Sequence, residues 1–523
     1  MSEVDLQVLG RSSQDEPEHT IPTAMQEVNL ALKECGFGRF HIKLLLSAYV
    51  GYTCGLVVSI STPYILPIAE CDLNMSLLQK GVLNAIPYVG MILSSSLAGF
   101  LTDTYGRKRF IVCGFLGIFF FTVISGLSQK YYILVTSKFF EGLLFATSFS
   151  PFLALTSELC HSGIRDRVML VQSSFVAIGQ ISVALISWAI LRCDWRDVLF
   201  NGYIVLNTWN YYLLIMSVWS LCASILYMFL PESPKFYVTQ HKYNEARDVL
   251  IRVYKENTGK PAETFKYVNL WKDEMKQAIV ETPEGEHKSQ LSAGFENIKP
   301  LFRRPLLLYL LLFCFINYFT MTQYNVLRLW FPQLSTIVEN YRQNGTEDFC
   351  VMLDAYTHDL RIKVNTARDD DVCLPVRSGD ETYLNTVILG CICLVPFIIT
   401  SILVNKVGKK NLFLVCGLLS VGCTIALRWT VSKILLVSLF STDVSTAQTM
   451  LSLTQAMVLE LFPTSYRSLA MGLIMTAGRM GTLVGNVTFP ILLDLGCVIP
   501  FFTLSAIMLG NCIMALFLPT KKT

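Results

Sequence analysis

Apolar runs separated by short polar clusters dominate the chain, and their lengths set the first expectation. Runs of about 18–28 residues fall at 43–67, 81–101, 110–128, 131–157, 168–191 and 209–230, and again at 306–331, 383–404, 411–428, 433–461, 468–491 and 497–517. Each is long enough to cross a hydrocarbon layer of about 30 Å as a helix. Strands are excluded by the lack of barrel-like alternation, since an open sheet edge in lipid leaves its backbone groups unpaired. The pattern predicts an all-α polytopic membrane protein with twelve transmembrane helices. Its expected parts are a cytoplasmic N-terminal tail over 1–42, a six-helix half over 43–230 and a cytoplasmic linker with short helices over 231–304. A second six-helix half over 305–517 and a short tail over 518–523 complete it, with an outer loop over 332–382. Residues 1–42 carry Glu3, Asp5, Asp15, Glu16 and Glu18 ahead of any apolar run, so no cleaved signal peptide is expected.

Composition agrees with the pattern. Apolar residues make up 53% of the 523-residue chain and charged residues only 15%, a balance that would leave a soluble fold with far too much exposed apolar surface. The net charge of +3 is too small and dispersed for a nucleic-acid surface. Lys and Arg sort to one side: with the N-terminus inside, 27 of the 42 fall in inner segments. This orientation places both termini in the cytoplasm. The outer loop contains Asn344-Gly345-Thr346, an expected glycosylation acceptor. It also holds Cys350 and Cys373, an expected disulfide in an oxidising compartment, although Cys71, Cys193 and Cys497 are also expected outside and leave other pairings open.

An internal repeat gives the architecture its symmetry. Asp103-Thr104-Tyr105-Gly106-Arg107-Lys108 follows the second run and Asn405-Lys406-Val407-Gly408-Lys409-Lys410 the eighth, at an offset of 302 residues. Glu158 with Arg165 after the fourth run, and Glu460 with Arg467 after the tenth, repeat at the same offset. Leu230-Pro231 and Leu518-Pro519 close the two halves. Such a parallel repeat has its axis along the membrane normal.

These residues carry a family resemblance. GFLTDTYGRKR at 99–109 resembles the signature loop of the major facilitator superfamily, and LPESPKF at 230–236 and ELFPTSYR at 460–467 resemble motifs of its sugar and organic-ion branches. LPIAECDL at 66–73, GFGRF at 36–40 and LRLWFP at 327–332 are similar to the synaptic vesicle glycoprotein 2 family and its invertebrate relatives. The resemblance covers essentially the whole chain after residue 25 and implies the major facilitator fold. It departs from the pattern in a short outer loop and in Asn405, where an Asp is usual.

Physically, Gly99 permits close helix contact and Gly106 a tight turn, while Asp103 suits a helix N-terminus. Arg107 has an expected partner in Glu158, with Arg165 opposite. The resemblance implies that such inner-face ion pairs lock the outward-open state and break as the halves rock, with Glu232, Glu460 and Arg467 doing the same near the other half. The plainer reading makes each charge a solvated topology determinant. Charges inside spans mark a pathway by default, because each is costly in lipid unless paired or wetted. Lys138 and Glu141 lie three residues apart in the fourth run, Asp443 near mid-depth of the tenth and Arg479 near mid-depth of the eleventh. Arg479 stands where related organic-ion transporters carry a charge that resembles their substrate preference, and here it is basic, the anion type. The bland alternatives are that Arg479 pairs with Asp443 and Lys138 with Glu141, purely to stabilise the bundle. Gln323, Tyr324, Asn325, Gln172 and Gln180 are polar enough to line a cavity, whereas Trp330 suits an interfacial anchor.

No phosphate-binding loop occurs and all six His lie in tails or loops, which sets aside ATP hydrolysis, a His proton relay and a zinc site. No cofactor and no enzymatic activity are expected. The leading reading is a monomeric secondary active transporter that moves a small organic solute, an organic anion by preference, through rocker-switch alternating access. A coupled proton or ion would be carried by Glu141 or Asp443. The rival is a non-transporting membrane factor in vesicle trafficking or binding. Either would sit as a multi-pass protein in the plasma membrane or a vesicle membrane.

Overall fold

The computed structural model describes residues 24–199, 203–271, 302–304, 306–340, 348–366, 378–462 and 464–518. The first half contains α1 (Ala24–Cys35), α2 (Arg39–Asp72), α3 (Leu77–Tyr105), α4 (Arg107–Gly126), α5 (Tyr131–Glu158), α6 (Ser162–Leu191) and α7 (Thr208–Phe229). Linker helices α8 (Pro234–Thr239) and α9 (Tyr243–Thr258) follow, and the second half is built from α10 (Leu306–Asn340), α11 (Phe349–Thr366), α12 (Asp380–Ile392), α13 (Leu394–Val407), α14 (Lys409–Ala426), α15 (Lys433–Leu461), α16 (Thr464–Asp494) and α17 (Val498–Leu516). An antiparallel hairpin, β1 (Arg196–Leu199) with β2 (Ile204–Asn207), joins α6 to α7.

Among the described residues, ten stretches are helices long and apolar enough to cross a membrane. The α3 and α16 helices are not among those ten, yet they are 29 and 31 residues long and pack against each other between the halves. A Cβ at Gly81 of α3 would stand 2.5 Å from the Asn486 carbonyl oxygen of α16, so the two backbones touch. The eighth apolar run is two helices, α12 and α13, that break at Cys393.

Helix starts and stops follow local chemistry. Ser76 and Gln79 form a capping box that opens α3. Gly106, at φ 96°, ends α3 and begins α4 with no residue between, a backbone conformation that side chains with a Cβ rarely adopt. Two segments expected to be extramembrane are ordered. α1 packs on α9, held by the Trp271 indole N–H donating to Glu27 at 2.6 Å. α11 sits in the outer loop and is bonded to the second half through Cys350–Cys497. This corrects the expected Cys350–Cys373 pairing. The loop closes on the start of α17, where the backbone N–H of Cys497 also donates to Asp354 at 2.8 Å. Cys71 is disulfide-bonded too, while Cys373 and Asn344 lie outside the described residues.

The buried apolar residues form three clusters, one centred on Phe115, Phe152, Tyr212 and Tyr227 and reaching Leu329 and Tyr383 of the second half, the others on Trp330, Phe440 and Phe501 and on Phe313, Met450 and Met508. Between the halves, the contacts cluster at the end away from α8 and α9. There Tyr64 stacks on Tyr383 with centroids 6.2 Å apart, the Trp188 indole donates to Asp380 at 2.8 Å, and Lys80 donates to the Tyr356 hydroxyl at 2.9 Å. The bundle is closed at its far end.

Candidate transport site

The expected candidates do not form one cluster. Each half buries its own acid, and two arginines occupy the boundary between halves. In the first half, the Lys138 ammonium donates to Glu141 at 2.8 Å and to Ser61 at 3.2 Å, and Ser125 donates to Glu141 at 2.7 Å. Both charged side chains are fully buried. In the second half, Asp443 is equally buried and accepts hydrogen bonds from Ser420, from Thr424 at 2.5 Å and from the Gln323 amide at 3.1 Å. Its partners are neutral. Asp443 lies 302 residues beyond Glu141, the offset of the repeat, and Phe440 stands where Lys138 stands in the first half.

Arg479 is not paired with Asp443. Its guanidinium reaches across to the first half and donates to the Met91 carbonyl of α3 at 3.3 Å. Asn325 donates to Thr482 of α16 at 2.9 Å, and its oxygen accepts from Tyr88 of α3 at 3.5 Å. Tyr324 accepts from Arg328 at 3.0 Å. Gln172 of α6 is fully buried, and among the described residues neither its amide nitrogen nor its oxygen has a partner. Trp330, expected as an interfacial anchor, is instead fully buried against Phe489, 5.3 Å between centroids.

Two charged groups escaped the sequence reading. Arg328 sits inside a predicted run, where the rule that flagged Arg479 applies equally; it was read only as a letter of the LRLWFP resemblance. Its two terminal nitrogens bond Tyr324 and Asn325 (3.2 Å), it lies 4.8 Å from the Tyr324 ring centroid, and its Nε is buried with no partner among the described residues. Lys80 was placed one residue before a predicted run. It is fully buried and bonds Glu70 at 2.6 Å as well as Tyr356. Helix α3 begins three residues before Lys80, so the charge lies within the bundle.

At the linker end the repeated loops behave alike in outline. Arg107 pairs with Glu158, and Lys409 pairs with Glu460, each 302 residues on. The first half adds two further ties. Ser233 donates to Glu158, and the Glu232 carboxylate accepts the backbone N–H of Lys108 at 2.9 Å, a favourable anion at the start of α4. Arg165 donates to the Ser157 carbonyl at 3.1 Å and not to Glu158. Beside these, burial and then the guanidinia of Arg165 and Arg107 push the Lys235 amine down to about 8. In the second half, Lys410 donates to the carbonyls of Leu516 and Leu518 at 2.7 and 2.8 Å and so closes α17. The side chains of Asp103, Asn405 and Arg467 lie outside the described ones, as does that of the residue at 99.

Two helical halves with repeat-related buried acids and a helix pair running between them define a multi-pass membrane protein of the major facilitator fold. The chain belongs to the sugar (and other) transporter family, whose model matches residues 42–327, and residues 379–523 match the major facilitator superfamily model. It is similar to SVOPL of Danio rerio, at 22% identity over 517 residues, covering 97% of this chain and 90% of that protein. It is also similar to synaptic vesicle glycoprotein 2A of Rattus norvegicus, at 26% identity over 249 residues; that match covers 47% of this chain and a third of the relative's length. Among solved structures it resembles a partially occluded inward-open conformation of the xylose transporter XylE from E. coli, with TM-score 0.62 and 15% identity over 92% of this chain and all of that one. A D-xylose-proton symporter follows at TM-score 0.61 and 16% identity, over 92% of this chain and 98% of that one. At these identities the structural likeness establishes the fold.

Proposed function

We propose that this chain is a secondary carrier for a small organic anion, working by alternating access, with its halves in contact here at the end away from the linker. The observation that carries the reading is Arg479. It lies at the boundary between halves, donates to a backbone carbonyl of the opposite half, and has no carboxylate partner among the described residues. A cation left without a counter-charge at membrane depth is costly, and an anionic solute would offset that cost. The far-end contacts support the same picture. For the solute to leave on that side, the Tyr64–Tyr383 stack and the Lys80–Tyr356 bond must part.

Asp443 is the proposed proton carrier. It is fully buried beside hydroxyl and amide donors and no cation, so nothing electrostatic holds it ionised, and a proton can enter or leave without orphaning a partner. Glu141 is held by Lys138 and serves the fold in this reading. The orientation rests on the distribution of basic residues, which puts the linker in the cytoplasm. Uptake of a panel of organic anions, cations and sugars into proteoliposomes tests the proposal. Anion uptake is expected from the wild-type protein and a loss of at least about tenfold in Arg479→Ala. Sugar or cation uptake that is untouched by that substitution overturns it.

A further inference from the structure

Helices α10 and α16 run parallel and in register. Asn317 donates to the Ile474 carbonyl at 2.7 Å and Asn325 to Thr482 at 2.9 Å, both across an interval of 157 residues. Arg328 lies three residues beyond Asn325 and Arg479 three residues before Thr482, so each arginine is one turn from the same hydrogen-bonded pair, on opposite sides of it. Along the helix axes their Cα atoms are then separated by six residues, roughly 9 Å at the α-helical rise. Both side chains approach the same stretch of α3. Arg479 bonds the Met91 carbonyl, and Tyr88, one turn earlier, meets Asn325 and lies within electrostatic reach of both guanidinia.

Neither arginine has a carboxylate partner among the described residues. Arg328 is held by a phenol, an amide oxygen and an aromatic face. Among the described residues its Nε is buried without an acceptor, and Nε with one terminal nitrogen is an edge of the guanidinium that a carboxylate takes in two parallel hydrogen bonds. Two partly desolvated cations approaching the same stretch of α3, with the neutral polar groups of Tyr88, Tyr324 and Thr482 beside them, are poorly matched to a single negative charge. One anion would satisfy one arginine and leave the other.

We infer that the site takes an organic dianion, with one carboxylate at Arg479 and the second at Arg328 toward the closed end. This deepens the anion reading above and rests on it. Arg328 is thereby the residue that selects a dianion over a monoanion. The solute class is a short α,ω-dicarboxylate, and the acceptors now used by Arg328, the Asn325 oxygen and the Tyr324 hydroxyl, are released when the second carboxylate arrives.

The experiment compares succinate, glutarate and adipate with their monomethyl esters, using the purified full chain. Uptake into proteoliposomes and thermal stabilisation in detergent are both read. The ester removes one charge and leaves the chain length nearly unchanged. Wild-type protein is expected to favour at least one dicarboxylate over its monoester by about tenfold or more. In Arg328→Gln that ratio should fall toward one, and Arg328→Lys, which keeps a cation but loses the two-pronged edge, should retain part of it. Size-exclusion profiles of both variants report whether they fold, and the lysine variant keeps the test standing if the glutamine variant does not. A ratio that survives in Arg328→Gln, or a wild-type protein that takes monoesters as well as diacids, overturns the dianion inference and leaves the anion reading intact. A wild-type protein that responds to neither class overturns the anion reading, and this inference with it.

Discussion

The two halves solve the same problem, one acid buried in each, with different chemistry. Glu141 and Asp443 occupy repeat-related positions 302 residues apart, and both are fully out of solvent. Glu141 is neutralised by the Lys138 ammonium at 2.8 Å. Asp443 has hydroxyls, an amide and Phe440 where the lysine would be. A buried ion pair fixes the charge state of both partners, because removing either leaves the other orphaned. A buried acid among neutral donors has no such constraint. Repetition supplied two equivalent places, and one side chain, Lys138 or Phe440, decides which is a strut and which is free to titrate.

The largest effect should come from neutralising the strut. Glu141→Gln leaves the Lys138 ammonium with only Ser61, and is expected to cost about 3–5 kcal/mol, read as a drop in the melting temperature of the purified protein. Adding Lys138→Met should restore most of it. Asp443→Asn leaves no orphan and is expected to cost about 1 kcal/mol; equal losses in the two variants would erase the distinction. The same Asp443→Asn variant is then the informative one for transport. Its uptake should lose most of the wild-type response to an imposed proton gradient, whereas a gradient response that persists in full would move the coupling elsewhere.

The linker-end loops sharpen the contrast at a smaller scale. In the first half, Arg107 and Glu158 are mostly shielded and Ser233 and Glu232 add bonds to the same turn. In the second half, Glu460 is 55% exposed and, among the described residues, pairs with Lys409 alone. Glu158→Gln is expected to cost about 1–2 kcal/mol and Glu460→Gln less than about 0.5 kcal/mol, measured by denaturation side by side. The smallest effect is a pH dependence confined to the first loop. Lys235, with its amine pushed down to about 8 from 10.5, binds fewer protons folded than unfolded between those values. Stability should therefore rise as pH rises through that window, and Lys235→Met should flatten the rise.

The linear chain displayed some of this directly. The repeat offset already paired Arg107 with Lys409 and Glu158 with Glu460, and the intramembrane-charge rule singled out Lys138, Glu141, Asp443 and Arg479. The same rule would have found Arg328, had it been applied inside a stretch already read as a motif. Lys80 was lost to a boundary drawn one residue too late. Other features had no linear signal. Cys350 bonds Cys497 across 147 residues, and several cysteines expected on one side of a membrane give no grounds for choosing among pairings. That Arg479 meets Met91 and not Asp443 depends on which faces of α3, α15 and α16 turn toward the gap between halves.

What the sequence determined by itself was the class of environment, the helices and the twofold repetition, because hydrocarbon thickness and backbone pairing act on each apolar run separately, and a repeat is a property of the string. What only the tertiary structure decided was which charges find partners. Two groups three residues apart, such as Lys138 and Glu141, meet because the helix itself brings them together. Groups hundreds of residues apart meet only through packing: small residues such as Gly81 let α3 reach α16, and the halves close at one end. That the cations Arg479 and Arg328 stand at the boundary between halves with no carboxylate partner among the described residues became visible only after that packing.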